Sequence, residues 1–105
     1  KVVDTEEFPD GYKSLTKQLK IKSGKCISYQ VHRHCDKVWT FIDGEGELVL
    51  DGIRSIVGRG DTVTIKKGIK HAVRAISDLT FIEVQSGALL VESDVERFEW
   101  IWSDR

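Results

Sequence analysis

Apolar and polar residues alternate in short runs along this chain, and glycine separates the runs. A period of two is strand patterning, because successive side chains on a strand point to opposite faces. Strands are predicted over 17–22, 26–32, 38–42, 47–50, 54–57, 62–66, 71–76 and 80–85. The breaks hold turn chemistry, among them Ser23-Gly24, Asp43-Gly44-Glu45-Gly46, Gly58-Arg59-Gly60-Asp61 and Lys67-Gly68. Asp51-Gly52 is the clearest hairpin signal, joining Glu47-Leu48-Val49-Leu50 to Ile53-Arg54-Ser55-Ile56-Val57. Short strands at this spacing predict an all-β sandwich or barrel. Helix is scarce: Pro9 and Gly11 interrupt 6–12, and only Ser93 to Arg97 is expected to make a helical turn, capped by Ser93 or Asp94. Phe98, Trp100 and Trp102 then alternate with Glu99, Ile101 and Ser103, as in a last strand or an extended tail laid over the barrel.

Alternation also sorts the faces. In the second predicted strand Cys26, Ser28, Gln30 and His32 share one face, against Ile27, Tyr29 and Val31. In the last, Phe81, Glu83 and Gln85 share a face, against Ile82 and Val84. Two polar rows set into otherwise apolar strands point to a barrel interior that holds a ligand. Solvent on one side of the second strand would account for the first row as well.

The 105 residues are expected to form one domain, with a barrel core over about 12–91 and a tail over 92–105. Sixteen Lys and Arg against seventeen Asp and Glu leave a net charge of -1, which gives no general pull toward nucleic acid or anionic membrane. No apolar run reaches the roughly 20 residues of a membrane-spanning helix, and no segment reads as a signal peptide. Cys26 and Cys35 are the only cysteines, too few for a disulfide framework, so a reducing, cytoplasmic setting is expected. Cys26 reads as a small core filler. Methionine is absent, so the sequence starts either after a processed or trimmed end or within a longer chain.

His32-Arg33-His34 is the sharpest local feature. Two imidazoles at i and i+2 on a strand share a face, and His71 opens another strand after Lys67-Gly68-Ile69-Lys70. Neutral imidazole is the commonest metal ligand near neutral pH, so the three histidines form a candidate metal set. Three unrelated surface histidines fit the composition equally well.

Two stretches resemble the paired motifs of the cupins. Gly24 through Gln30, then Val31-His32-Arg33-His34, Trp39 and Gly44 resembles the first; Gly60-Asp61 through Gly68 to His71 resembles the second. Within the cupins the chain is most similar to the C-terminal domain of type II mannose-6-phosphate isomerases, often fused to mannose-1-phosphate guanylyltransferase. Ser28 to His34, Trp39, the stretch Phe81-Ile82-Glu83-Val84-Gln85-Ser86-Gly87 and Asp94-Val95-Glu96-Arg97-Phe98 carry that narrower likeness.

The resemblance implies a double-stranded β-helix barrel around a divalent metal (zinc, manganese, nickel or iron). It implies His32, His34 and His71 as ligands, together with a glutamate at the position that Lys37 occupies here. An ammonium at that position repels a divalent ion. Lys37 is therefore open to three roles: an internal ion pair with Glu83 in the metal's place, snorkelling to the barrel mouth, or catalysis. The implied activity is aldose–ketose isomerisation of a hexose phosphate, with Glu83 as base or fourth ligand. Gln30, Arg33, Trp39, Arg74 and Gln85 are the candidate contacts to a sugar or sugar phosphate, with Trp39 stacking on the ring. A non-catalytic, metal-free barrel that binds a sugar or metabolite is the alternative, and a three-histidine iron oxygenase is a third reading. No nucleic-acid or membrane partner is expected. A homodimer is, because cupins commonly pair and the tryptophan-rich tail is apolar.

Overall fold

Ten strands carry the chain in the computed structural model, which describes residues 1–91 and 93–102. They are β1 (Val2–Glu7), β2 (Lys13–Ile21), β3 (Cys26–Val31), β4 (Asp36–Asp43), β5 (Glu45–Leu50), β6 (Ile53–Gly58), β7 (Thr62–Ile65), β8 (His71–Ala75), β9 (Leu79–Gly87) and β10 (Glu96–Phe98). Two five-stranded sheets form, in the orders β1-β2-β9-β4-β7 and β10-β3-β8-β5-β6, and every pairing is antiparallel. This is the all-β double-stranded β-helix that the alternation and the motifs lead one to expect. The Asp51-Gly52 hairpin forms as predicted, with both residues at positive φ (46° and 81°), the twist that a two-residue hairpin needs.

All eight predicted strands are present, and the sheets reach past the expected core of 12–91 at both ends. β1 is one of the two strands that patterning did not predict, the other being β10. Every residue in β1 is exposed, so no alternation marks it, and it is held as an edge strand by its ladder to β2. The predicted helical turn at 93–97 does not form. Glu96–Phe98 pairs instead with Tyr29 to Val31, adding a strand to the second sheet. Glu92 and the last three positions of the expected tail, 103–105, lie outside the described residues.

The main core fills the space between the sheets. Trp39 and Phe41 of β4, Leu48 of β5, Val73 and Ala75 of β8, and Leu79 and Phe81 of β9 meet there, all buried. A second cluster covers the outer face of the β3-β8-β5 sheet, where Phe98, Trp100 and Trp102 pack on Tyr29, Val49 and Ala72. The tail is thus the expected cover over the barrel. Arg54, Lys70 and Arg74 lie over the rings of Trp100, Phe98 and Trp102 at 5.1, 4.2 and 5.2 Å, each contact adding about 0.5–1 kcal/mol.

One irregularity re-aims side chains at the cavity. The β3–β8 register slips between Ile27 and Gln30, so strict alternation fails in β3. Ile27 packs against the inter-sheet core, while Tyr29 turns outward to the tail. The expected grouping of Ile27 with Tyr29 is corrected by that bulge. Cys26, at the start of the strand, is exposed rather than a core filler.

Candidate functional site

The polar rows from β3 and β9 meet in one cavity of about 830 Å³ at an open end of the barrel. Ser28, Gln30 and His32 reach it from one sheet, and Lys37, Glu83 and Gln85 from the other. Leu15, Leu19, Ile27, Leu90, Val91 and Val95 supply apolar wall, and Lys17 and Arg97 also line it. A mixed apolar and polar concavity with converging polar groups is the form small-molecule sites take.

Lys37 and Glu83 form a buried ion pair, Nζ to Oε2 at 3.1 Å, with 5% and 3% of each residue exposed. Their strands are paired, with Lys37 opposite Gln85 and Trp39 opposite Glu83, so strand parity brings the groups together. The Trp39 indole Nε1 donates to the same Oε2 at 2.8 Å, and the Gln85 amide donates to Oε1 at 2.9 Å. Burial alone would raise the Glu83 carboxyl; the Lys37 ammonium and the Trp39 and Gln85 bonds outweigh it and hold it below its usual range. Of the roles open to Lys37, snorkelling is excluded: its ammonium ends on Glu83 inside the barrel.

Two of the histidines are neighbours. The rings of His32 and His71 stack with centroids 5.4 Å apart, and the edge of Trp39 closes on His71 at 5.5 Å. The His71 Nδ1 donates to the Ile69 carbonyl at 3.0 Å, which places its proton there and leaves Nε2 bare. That Nε2 and the His32 Nδ1 are buried with no hydrogen-bond partner among the described residues. Burial, then the Lys37 ammonium, then His71 push His32 down to about 4, and burial outweighs the Ile69 bond to lower His71 as well. Both rings are neutral at pH 7.

His34 does not join them. Its Nδ1 faces Asp94 Oδ1 at 3.1 Å, with 57% of the side chain exposed. The same carboxylate accepts the backbone amides of Arg33 (3.1 Å) and His34 (2.9 Å) and so fixes the loop's outward course. β9 runs close beneath that loop, where a Cβ on Gly87 would stand 2.5 Å from the His34 carbonyl. Asp94, read from sequence as a helix cap, caps this loop instead. Asp94→Ala is expected to lower unfolding free energy by about 1–2 kcal/mol in urea titrations, with Asp94→Asn recovering part of it. An unchanged midpoint in the alanine variant would mean the loop holds itself.

A divalent ion does not fit this donor set. The third imidazole is engaged with Asp94, and an ammonium lies against the one carboxylate in the described lining. Among the described residues no group of three or more His, Cys, Asp or Glu side chains is placed to hold a metal.

Other sequence candidates divide. Gln30 and Gln85 line the cavity as expected. Trp39 is completely buried, with Phe41, Phe81 and His71 against its ring, so it has no open face for a sugar. Arg33 pairs with Glu96 at 2.8 Å on the exposed loop. Arg74 points to the outer face, where it meets Glu47 at 3.1 Å beneath the tail. Cys35 is buried beside Gly87, and burial raises its thiol. Lys17 and Arg97 line the cavity without having been candidates from sequence: Lys17 is the ladder partner of Glu83 and Arg97 that of Gln30, pairings that only the register reveals.

Comparison with known proteins agrees with this fold. A family model described as "Mannose-6-phosphate isomerase C-terminal" matches residues 4–100. Mannose-1-phosphate guanylyltransferase of Salmonella montevideo is 33% identical over 97 residues, covering 90% of this chain and 20% of that protein. The alginate biosynthesis protein AlgA of Pseudomonas fluorescens is 33% identical over 94 residues, covering 88% of this chain and 20% of that one. The chain therefore spans about one fifth of the length of these curated relatives. Among solved structures, a Klebsiella pneumoniae protein with a double-stranded β-helix domain superposes with TM-score 0.76 at 24% identity, covering 94% of this chain and 82% of that one. No helix among the described residues is long and apolar enough to cross a membrane. The matched family model spans nearly the whole chain and the barrel agrees with it, so this protein belongs to the cupin family of mannose-6-phosphate isomerase C-terminal domains.

Proposed function

We propose that this cupin domain binds a sugar or sugar phosphate in its barrel cavity without a resident metal. The Lys37–Glu83 ion pair carries the reading: it sits in the cavity at the position where the family resemblance implies a metal-binding glutamate. Metal-assisted isomerisation needs several donors converging on one ion to polarise a carbonyl. With His34 turned to Asp94, the cavity supports binding better than that chemistry. Hydroxyl groups suit the lining, because Gln30, Gln85 and neutral imidazole both donate and accept, while the aliphatic wall suits the C–H faces of a sugar ring.

The test pairs elemental analysis with calorimetric titration of mannose 6-phosphate, with and without EDTA. Metal is expected far below one equivalent, and binding is expected to be indifferent to the chelator. Ligand at a hundred times its Kd should add about 2.7 kcal/mol to stability. Near-stoichiometric metal that a His32→Ala variant loses would overturn the reading, as would aldose-to-ketose turnover that EDTA abolishes.

A further inference from the structure

The two sheets differ on their outer faces. The tail covers one of them, where Phe98, Trp100 and Trp102 lie on Tyr29, Val49 and Ala72. The outer face of β1-β2-β9-β4-β7 has no such cover among the described residues. Its members follow from period two, because Trp39, Ile65 and Phe81 of the same strands point into the core. Ladder partners share a face, so the registers line up the outward residues in rows across the sheet. One row runs Asp4, Thr16, Val84, Val38, Thr64, from β1 to β7. The next runs Gln18, Ile82, Thr40, Thr62. Asp4, at the β1 edge, is the only charge in these two rows, in a chain of which 31% of residues are charged. An outer sheet face turned to water in such a chain would be expected to carry Lys and Glu among its polar positions. Val38, Ile82 and Val84 are half-buried and belong to neither apolar cluster. Charge returns only at the rim, with Glu6 in β1 and, at the opposite edge, Lys66 directly after β7.

We propose that two copies of this chain pack through this face, sheet on sheet, about a two-fold axis lying along β9. The charge pattern argues for a second copy as the occupant. In an isologous contact each residue near the axis meets its own symmetry mate, so a charge there would repel itself. The residues that β9 presents in the two rows are Ile82 and Val84. The same pattern sets the orientation. An axis along β9 lays β1 of one copy over β7 of the other, so Glu6 meets the second copy's Lys66. Neither has an ion pair of its own among the described residues. Asp36, in the same row as Glu6, accepts the Lys67 backbone amide at 2.8 Å and would meet Ser14. An axis across the strands would instead stack β1 on β1 and set Asp4 and Glu6 against acids. Sheets packed face to face keep their strands within about 30°, an offset that long rim side chains can span. Five strands at about 4.8 Å spacing and a length of about 20 Å give a footprint of about 400 Å². Standing side chains raise the accessible area to about 600 Å² per copy, so the pair would bury about 1,200 Å², the lower end for a specific interface. A dissociation constant in the micromolar range is therefore expected. The face lies on the other side of the sheet from the cavity, so pairing leaves the cavity open.

Sedimentation velocity of the whole chain, from low micromolar to near-millimolar concentration, tests the proposal. Wild type is expected to pass from monomer to dimer. Val84→Lys sets two ammonium groups against each other at the axis and should raise the dissociation constant at least tenfold. Val84→Thr keeps the shape without a charge and should dimerise nearly as well as wild type. Circular dichroism of each variant checks that the barrel is intact. Glu6→Lys and Lys66→Glu should each weaken self-association. An equimolar mixture of those two should recover it, because only the mixed pair brings opposite charges together at both rims. A wild type that stays monomeric throughout would overturn the second copy as occupant and leave the face to a different partner chain. A dimer that survives Val84→Lys but is lost in Ile53→Lys would overturn the face, since Ile53 is 73% exposed on β6, the edge of the other sheet. Loss of the dimer in Val84→Lys without recovery in the mixture would uphold the face and overturn the axis.

Discussion

Lys37→Met is expected to destabilise the protein by about 3–5 kcal/mol at pH 7, the range for breaking a buried pair from one side. Methionine keeps the length of the side chain and removes its charge, so the cost falls on Glu83. That carboxylate is 3% exposed, and Trp39 and Gln85 are its other partners. The melting temperature should drop by more than about 10 °C for a domain of this size. Lys37→Met/Glu83→Gln should return to within about 1 kcal/mol of wild type, because a neutral amide still accepts from the Trp39 indole and leaves no charge behind. The pH dependence supplies an internal check. Without the ammonium, burial dominates and the Glu83 carboxyl rises above its unfolded value. The penalty is then fully present at neutral pH and shrinks as pH falls toward about 4.3, where the unfolded chain also takes up the proton. A single variant as stable as wild type at pH 7 would mean that the pair is not a coupled unit.

The same pair shows what the sequence makes legible. Parity put Lys37, Trp39 and Phe41 on one face and Phe81, Glu83 and Gln85 on another, and the two faces meet across the β4–β9 ladder. Where a strand is regular and half-buried, period-two reading reaches the level of side-chain partners. It failed where regularity failed. The bulge in β3 turns Tyr29 away from Ile27, and no residue type announced it. His32 and His34 share strand parity on paper, yet β3 ends at Val31 and Asp94 turns the loop outward. The partner that decides His34 lies sixty residues along the chain, on a segment that read as a helical turn. Arg74 was misplaced for a related reason: its strand is buried on both faces, so a charged side chain could be assigned to the outer one only after the tail was seen to supply Glu47 with company there.

The C-terminal segment links these corrections to the site. β10 adds Arg97 beside Gln30, Asp94 fixes the histidine loop, and Val91, Ser93 and Val95 form part of the cavity wall. Three tryptophan-tail aromatics hold that segment on the outer sheet from behind. The apolar tail thus serves the polar cavity on the other side of the sheet, because both hang on the short β10–β3 ladder. Tail packing and the cavity wall are thus set by one stretch of backbone, Asp94 to Phe98, which holds the histidine loop at one end and the outer-sheet aromatics at the other.

Acid should unfold this barrel earlier than its carboxylates alone require. His32 titrates near 4 in the folded protein, and about 6.5 is the unfolded reference. Between those values the unfolded chain binds a proton that the folded chain refuses, so stability falls as pH falls from 6.5 to 4. A shift of that size has a ceiling of about 3 kcal/mol, and His32 keeps contact with the cavity solvent, so about half survives screening. His71 is lowered in the same direction and is 1% exposed, so it adds to the loss over the same window. His32 should then remove about 1 kcal/mol between pH 7 and pH 5, read as a fall in urea midpoint, and His71 deepens that loss. Glu83 is lowered rather than raised, so its contribution is intact through that interval and is lost only below about 4.3, where the slope steepens. His32→Gln, which keeps a neutral polar group, should flatten the pH 7 to 5 slope and leave the lower limb in place. A flat wild-type profile from pH 7 to pH 5 would mean that the two rings take up protons in the folded state, and the Lys37 ammonium beside them would then have to be screened or moved away.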